Sequence, residues 1–215
     1  MALKDIINKV KKEIKVVQGE DTKDKLFTNE NTFPDEATAI REFERAKQKL
    51  FDVNLWSDLE GITSTFQLYD QQGQRTTAQK PEEGYYFKII LPASPIENWV
   101  RITDIREIEN MAEFVVHPSE EPVSNKEGEK GEIKHFFIKE ASSTFRVERK
   151  GTKLIGSEIG KNEGINNQGE EAGDRAALNT MISEGGWAGF QDLQWGNLTR
   201  YFVHLTEAES DSERS

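Results

Sequence analysis

The chain of 215 residues contains no cysteine. That absence excludes disulfides, thiolate zinc sites, iron–sulfur clusters and cysteine nucleophiles together, and it agrees with a reducing compartment. No run of 18 or more apolar residues occurs, so no segment reads as a membrane-spanning helix. Residues 1–18 also lack the apolar centre of a secretory signal, because Lys9, Lys11, Lys12 and Lys15 interrupt it. A cytoplasmic location is the expectation. Positive charge is scarce: 39 acids stand against 28 bases, a formal charge of −11. Such a surface repels phosphate backbones and anionic headgroups on average, so nucleic acid is not an expected partner.

What the chain does have is aromatic bulk. Twelve Phe, four Trp and four Tyr fill a core without covalent staples. At this length one domain removes roughly 70% of the unfolded surface from water.

Hydrophobic spacing divides the chain. Leu3, Ile6, Ile7, Val10, Ile14 and Val17 recur at threes and fours, which predicts an amphipathic helix over 2–17. It carries five lysines against Asp5 and Glu13, a basic segment on an acidic chain. Phe33-Pro34-Asp35 opens a second helix with Asp35 as cap, and its buried stripe is expected at Ala39, Ile40, Phe43, Ala46, Lys47 and Leu50. Residues 54–61 form a short helical turn anchored by Trp56 and closed by Gly61. From residue 62 the period falls to two. Strands follow at 62–69, 85–91, 98–108, 112–117, 134–140, 143–149 and 152–159, with a hairpin turn at Arg149-Lys150-Gly151-Thr152. Short links make neighbours antiparallel.

Pro118–Glu132 reads as an acidic surface loop, and a polar stretch from Gly160 to Gly169 precedes the last helix. That helix is expected from Glu171 or Asp174 to Thr206, burying Leu178, Ile182, Phe190, Leu193, Leu198, Phe202 and Leu205. Gly185, Gly186, Gly189 and Gly196 lie inside it, each costing about 1 kcal/mol relative to Ala. Either the helix breaks near Gly185-Gly186 or its backbone approaches something closely. The domain reading is an N-terminal helix within 1–18, one α+β domain over 25–206 and a frayed polar tail over 207–215.

This element order comprises an extended segment near 25–33, two helices, six or seven antiparallel strands and a terminal helix containing Trp187, Phe190 and Trp195. With Trp56 placed after the first long helix, it resembles the helix-grip arrangement of the START or Bet v 1-like (SRPBCC) superfamily. The extra N-terminal helix departs from that pattern. The resemblance implies a curved sheet wrapped around the terminal helix, with a cavity between them. Members commonly hold lipids, sterols, polyketides or other apolar molecules; some are enzymes and some co-chaperones, and no shared catalytic motif transfers to this chain.

No catalytic signature appears in the residues themselves. Ser142 and Ser143 stand outside any G-x-S-x-G elbow, and Gly160, Gly164 and Gly169 are too far apart to cradle phosphate. Pairing of 112–117 with 134–140 would set His117 opposite His135, which with Glu113 or Glu132 would be a candidate metal site, or simply a surface pair at a strand end. No cofactor is expected. Asn166 and Asn167, in a polar cluster that includes Glu158, Asn162 and Glu163, would orient a polar ligand group at a cavity mouth, although Asn and Gly also simply make turns. Arg146 would hold a carboxylate if its face of the sheet lines the cavity. Trp56, Trp99, Trp187 and Trp195 would be walls, or core.

The expected function is non-enzymatic binding of a small hydrophobic or lipid-like ligand between sheet and C-terminal helix. One alternative is a protein-interaction or co-chaperone-like module that meets a partner or a second copy through 2–17 or the Gly185/Gly189 face. The other is a hydrolase or cyclase acting in a similar pocket.

Overall fold

A computed structural model describes residues 23–91, 97–122, 138–163 and 186–208, and for 186–190 the backbone alone. The helix expected at 2–17, Asn166 and Asn167 and His135 lie outside the described residues, as does the Trp187 side chain.

Seven strands form one sheet: β1 (Lys23–Thr32), β2 (Thr65–Tyr69), β3 (Tyr86–Ile90), β4 (Glu97–Ile108), β5 (Met111–Pro118), β6 (Ser142–Lys150) and β7 (Lys153–Glu163). Their order is β1-β7-β6-β5-β4-β3-β2, and every neighbouring pair is antiparallel. Helix α1 (Glu36–Phe51) packs on β6 and β7, a 3-10 turn (Val53–Asp58) packs on β2, and helix α2 (Gly186–Phe202) crosses β1 and β7. This is the α+β helix-grip arrangement expected from the element order, a curved antiparallel sheet closed by the terminal helix. The hairpin between β6 and β7 turns at Gly151, whose φ of 61° suits the first central position of a type II′ turn.

The strands alternate as the period of two requires. Phe66, Leu68, Phe87, Ile89, Val100, Ile102, Phe114, Val116, Phe145 and Val147 face inward and are buried. Trp56 stands at their centre, with ring centroids of Phe145, Phe66, Phe202, Phe114 and Phe87 at 4.9, 5.5, 5.7, 6.0 and 6.2 Å. Its indole N–H donates to the Lys49 carbonyl at 3.0 Å, which removes the cost of burying that donor.

Helix α1 starts where expected, with the Asp35 carboxylate accepting from the Thr38 N–H at 2.7 Å. Its buried set differs from the expected stripe, with Lys49 and Phe51 buried in place of Ile40 and Lys47. Ala39, Phe43, Ala46 and Leu50 are buried, but Ile40 is exposed, because it lies one helical step to the side of that row. On α2, Trp195, Leu198 and Phe202 are buried, while Leu193 is exposed, turned away from that row, and so is Leu205. The described helix ends at Phe202 rather than Thr206: His204 takes a left-handed φ of 62° and redirects the chain. Ala208 is nevertheless buried and bridges to Leu59, so the first residues of the expected frayed tail are held.

Close approach of helix and sheet is made by a strand glycine. A Cβ on Gly156 of β7 would lie 2.8 Å from the Thr199 carbonyl oxygen of α2, whereas one on Gly196 of α2 would meet nothing within 4 Å. The expected pairing of 112–117 with 134–140 is also replaced. β5 lies between β4 and β6, with Met111–Val116 opposite Ser143–Glu148, while His135 lies outside the described residues.

Candidate functional site

The inner face of β7 reads Leu154, Gly156, Glu158, Gly160, two residues apart. Glu158 is therefore aimed inward between two glycines, with Phe145 of β6 and Phe27 of β1 as its lateral neighbours. It is fully buried, and neither carboxyl oxygen meets a hydrogen-bond partner among the described residues. Burial, reinforced by the charge of Glu163, pushes its pKa up to about 8; the Ser143 hydroxyl on β6 and the Lys25 ammonium on β1 pull the other way. A group with that value is largely a neutral acid at pH 7.

Strict alternation from Glu158 would put Glu163 on the opposite face. An irregularity prevents this. Lys25 pairs with Gly160 and Lys23 with Glu163, so β7 holds one extra residue there, and Asn162 takes a left-handed φ of 52°. Asn tolerates that conformation better than most residues, and its N–H donates to the Asp24 carboxylate at 3.1 Å. The bulge turns Glu163 inward, where it is buried and its pKa is raised, chiefly by that burial. Its carboxylate folds over Gly160: a Cβ at that glycine would lie 2.3 Å from Glu163 Oε1.

The helix above adds amides. Gln191 of α2 is buried; its side-chain N–H faces Glu163 Oε2 at 3.4 Å while its carbonyl oxygen accepts from the Lys25 ammonium. Further along the same edge, Asn29 donates to Thr199 Oγ1 at 2.9 Å and Asn31 to the Val203 carbonyl at 2.9 Å, so amides from β1 hold α2 to the sheet.

Beside Glu158, Ser143 and Phe145 form part of the wall of an apolar hollow of about 30 Å3, together with Phe87, Ile89, Val116 and Trp195. It has room for one water or one small head group. Two larger depressions lie outside the grip. One of about 720 Å3 runs along α1, and its cations meet carboxylates: Lys47 with Glu44 at 2.6 Å, Lys49 with Glu207 at 2.6 Å, and Lys80 with Glu107. The other, of about 440 Å3, includes Tyr86, Arg101 and His117 on the outer sheet face.

The residues singled out from sequence are dispersed. Glu158 is inside the grip. Trp56 is the centre of the core; it packs behind Phe145 and Phe87, two walls of the hollow, without lining it. Arg146 lies on the outer face, where its Nε and Nη2 both meet Glu113 Oε2 at 2.6 Å, and so faces away from the interior. Trp99 is also on the outer face, its N–H on Glu97 at 3.2 Å and its ring 4.8 Å from Tyr69. His117 is on that face too, with Nδ1 2.9 Å from the Ala141 carbonyl oxygen, and no cluster of three metal-ligating side chains occurs among the described residues. Sequence reading did not single out Lys25, Ser143 or Gln191 as site residues; it placed Glu163 only in the polar cluster around Glu158, and Trp195 only among the tryptophans that would be wall or core. The available signal was Gly156-Ser157-Glu158-Ile159-Gly160, a carboxylate sharing one strand face with two glycines.

No family model matches the chain, and no curated protein matches it. Among solved structures, it is similar to a hypothetical protein from Helicobacter pylori, with 12% identity, 85% of this chain and 91% of that chain covered, and a TM-score of 0.44. It is also similar to norcoclaurine synthase from Thalictrum flavum, solved with dopamine and hydroxybenzaldehyde, with 10% identity, 89% and 93% covered, and a TM-score of 0.39. Major latex-like protein 151 from Panax ginseng gives 10% identity, 78% and 97% covered, and a TM-score of 0.38. At these identities the likenesses do not bear on ligand or reaction.

Proposed function

We propose that this chain is a small-molecule-binding module that takes a small, partly apolar guest beneath α2 and reads it through Glu158. One observation supports this above the others: a fully buried carboxyl with neither oxygen matched among the described residues, whose cross-strand neighbour Phe145 is a wall of an apolar hollow. An unmatched buried polar group costs about 1–3 kcal/mol, and a ligand that supplies the missing partner recovers that cost on binding. The hollow of about 30 Å3 suits the head of a small guest rather than an acyl chain.

The same carboxyl favours a second reading. A buried acid with a pKa of about 8 is suited to giving or taking a proton near neutral pH, so a proton-transfer step on the bound guest is the alternative. The protein-interaction reading rests on 2–17 and on Gly185 and Gly189, whose side of the molecule is outside the described side chains.

Binding is tested by NMR titration of the full chain with benzyl alcohol, cyclohexanol and benzylamine, beside a Ser143→Leu variant that fills the hollow. Saturable shifts centred on Phe145, Glu158 and Trp195, lost in the folded variant, support the reading. The absence of saturable shifts with all three probes, or shifts indifferent to Ser143→Leu, overturns it.

A further inference from the structure

We infer that the guest read by Glu158 is a small amine, bound as its ammonium ion against the paired carboxyls of Glu158 and Glu163. This rests on the binding role proposed above and names the chemistry of the group it accepts.

The geometry that points to a cation is built from three independent features of β7. Glu158 is inward, wholly buried and unmatched at both oxygens among the described residues. The one-residue bulge at Asn162 turns a second carboxylate to the same face. Gly160 leaves the space into which that second carboxylate folds. Without the bulge or without the glycine, the two acids would not share a face. Two acids brought together out of water repel each other, so the arrangement is unfavourable unless positive charge enters it.

Among the described residues, the charged groups facing Glu158 are few. β7 supplies Glu163, and β1 supplies Lys25. Lys23 and Asp24 act on Glu163 from the end of β1. From β6 comes the Ser143 hydroxyl, and from α2 the neutral amide of Gln191. Lys25 thus provides one positive charge for two carboxylates. In the empty protein the second is supplied by a proton on Glu158. An ammonium ion would take the place of that proton and present N–H donors to the unmatched oxygens, and the apolar hollow walled by Ser143, Phe145 and Trp195 would accept the adjoining carbon. The exchange balances: the ammonium ion enters with its charge, Glu158 releases one proton to solvent, and the site's net charge is unchanged.

A neutral guest would release no proton. The test therefore uses benzylamine and benzyl alcohol, which differ in the charge of the head group, in calorimetric titrations of the full chain in two buffers of different ionisation enthalpy. Below about pH 8, benzylamine should release close to one proton per site, and its affinity should rise about tenfold per pH unit up to that point. Benzyl alcohol should bind independently of pH. Glu158→Gln should abolish the proton release and weaken benzylamine about tenfold or more at about pH 8. Should that variant not fold, Glu163→Gln serves instead, since removing the repelling charge must move the proton-release window to lower pH. Benzylamine binding no tighter than benzyl alcohol at about pH 8, or binding without proton release, overturns the amine assignment while the pocket stands. If neither compound binds, the pocket reading falls and the amine assignment with it.

Discussion

The inner face of the sheet has two halves of opposite chemistry. Across β2 to β5 it is mostly aromatic and aliphatic, closed around Trp56, whose N–H meets the Lys49 carbonyl, with Asn98 of β4 as a buried polar residue whose amide donates to the Ile89 carbonyl. Across β7 and β1 it presents Glu158, Glu163, Lys25, Asn29 and Asn31 to a helix that answers with Gln191 and Thr199. The first half is what packing alone would select. The second carries an unmatched buried acid that packing alone would not, and a local sacrifice of stability in an otherwise well-filled core marks the place to look for function.

The contrast can be broken from either side. On the apolar half, Trp56→Ala should cost about 3–5 kcal/mol of folding stability, measured by urea unfolding; a loss below about 1 kcal/mol would mean that the rings around it are not the principal core.

On the polar half the sign reverses. Glu158 holds its proton to about 8 in the folded chain, against an ordinary value of 4.5. Between those values the folded state binds the proton and the unfolded state does not. Stability from this group is thus complete below the lower value, falls as pH rises through the window, and levels off above the upper one. Glu158→Gln should remove that slope and leave the protein more stable than the parent near pH 8 by a few kcal/mol. Parallel stability curves for the two proteins between about pH 5 and pH 8 would contradict a buried, unmatched acid.

Where the halves meet, Gly156→Ala should cost about 1–3 kcal/mol, because the new methyl would press on the backbone carbonyl of Thr199 rather than on a movable side chain; thermal unfolding checks it. The outer face gives the smallest effect. Arg146→Ala breaks a half-exposed pair with Glu113, to which Arg106 remains at 3.9 Å, so a loss of only about 1 kcal/mol or less is expected, with ligand binding unchanged. A fall in benzylamine affinity in that variant would bring the outer face into the site.

Much of the fold was legible because it rests on periodicity. The change from threes and fours to twos near residue 62 located the sheet, Asp35 located the start of α1, and Gly151 located the last hairpin. The site was less legible. Glu158 could be named from sequence, but its direction could not, since a strand's two faces are equivalent until something packs on one. Arg146 and Trp99 were drawn to the site by residue type alone and proved to lie on the other face. Glu163 could not be placed at all, because one extra residue in β7 inverted its side.

By itself, then, the sequence determined the element types, their order, the antiparallel connections and the absence of thiol chemistry, all of which follow from local spacing and composition. Only the tertiary structure decided which face of the sheet is interior, that the hollow is small, and that two acids from one strand share the inner face beside it. Those outcomes depend on a bulge, on a glycine that leaves room for a carboxylate, and on the angle at which α2 crosses β7, each set by contacts between residues far apart in the chain.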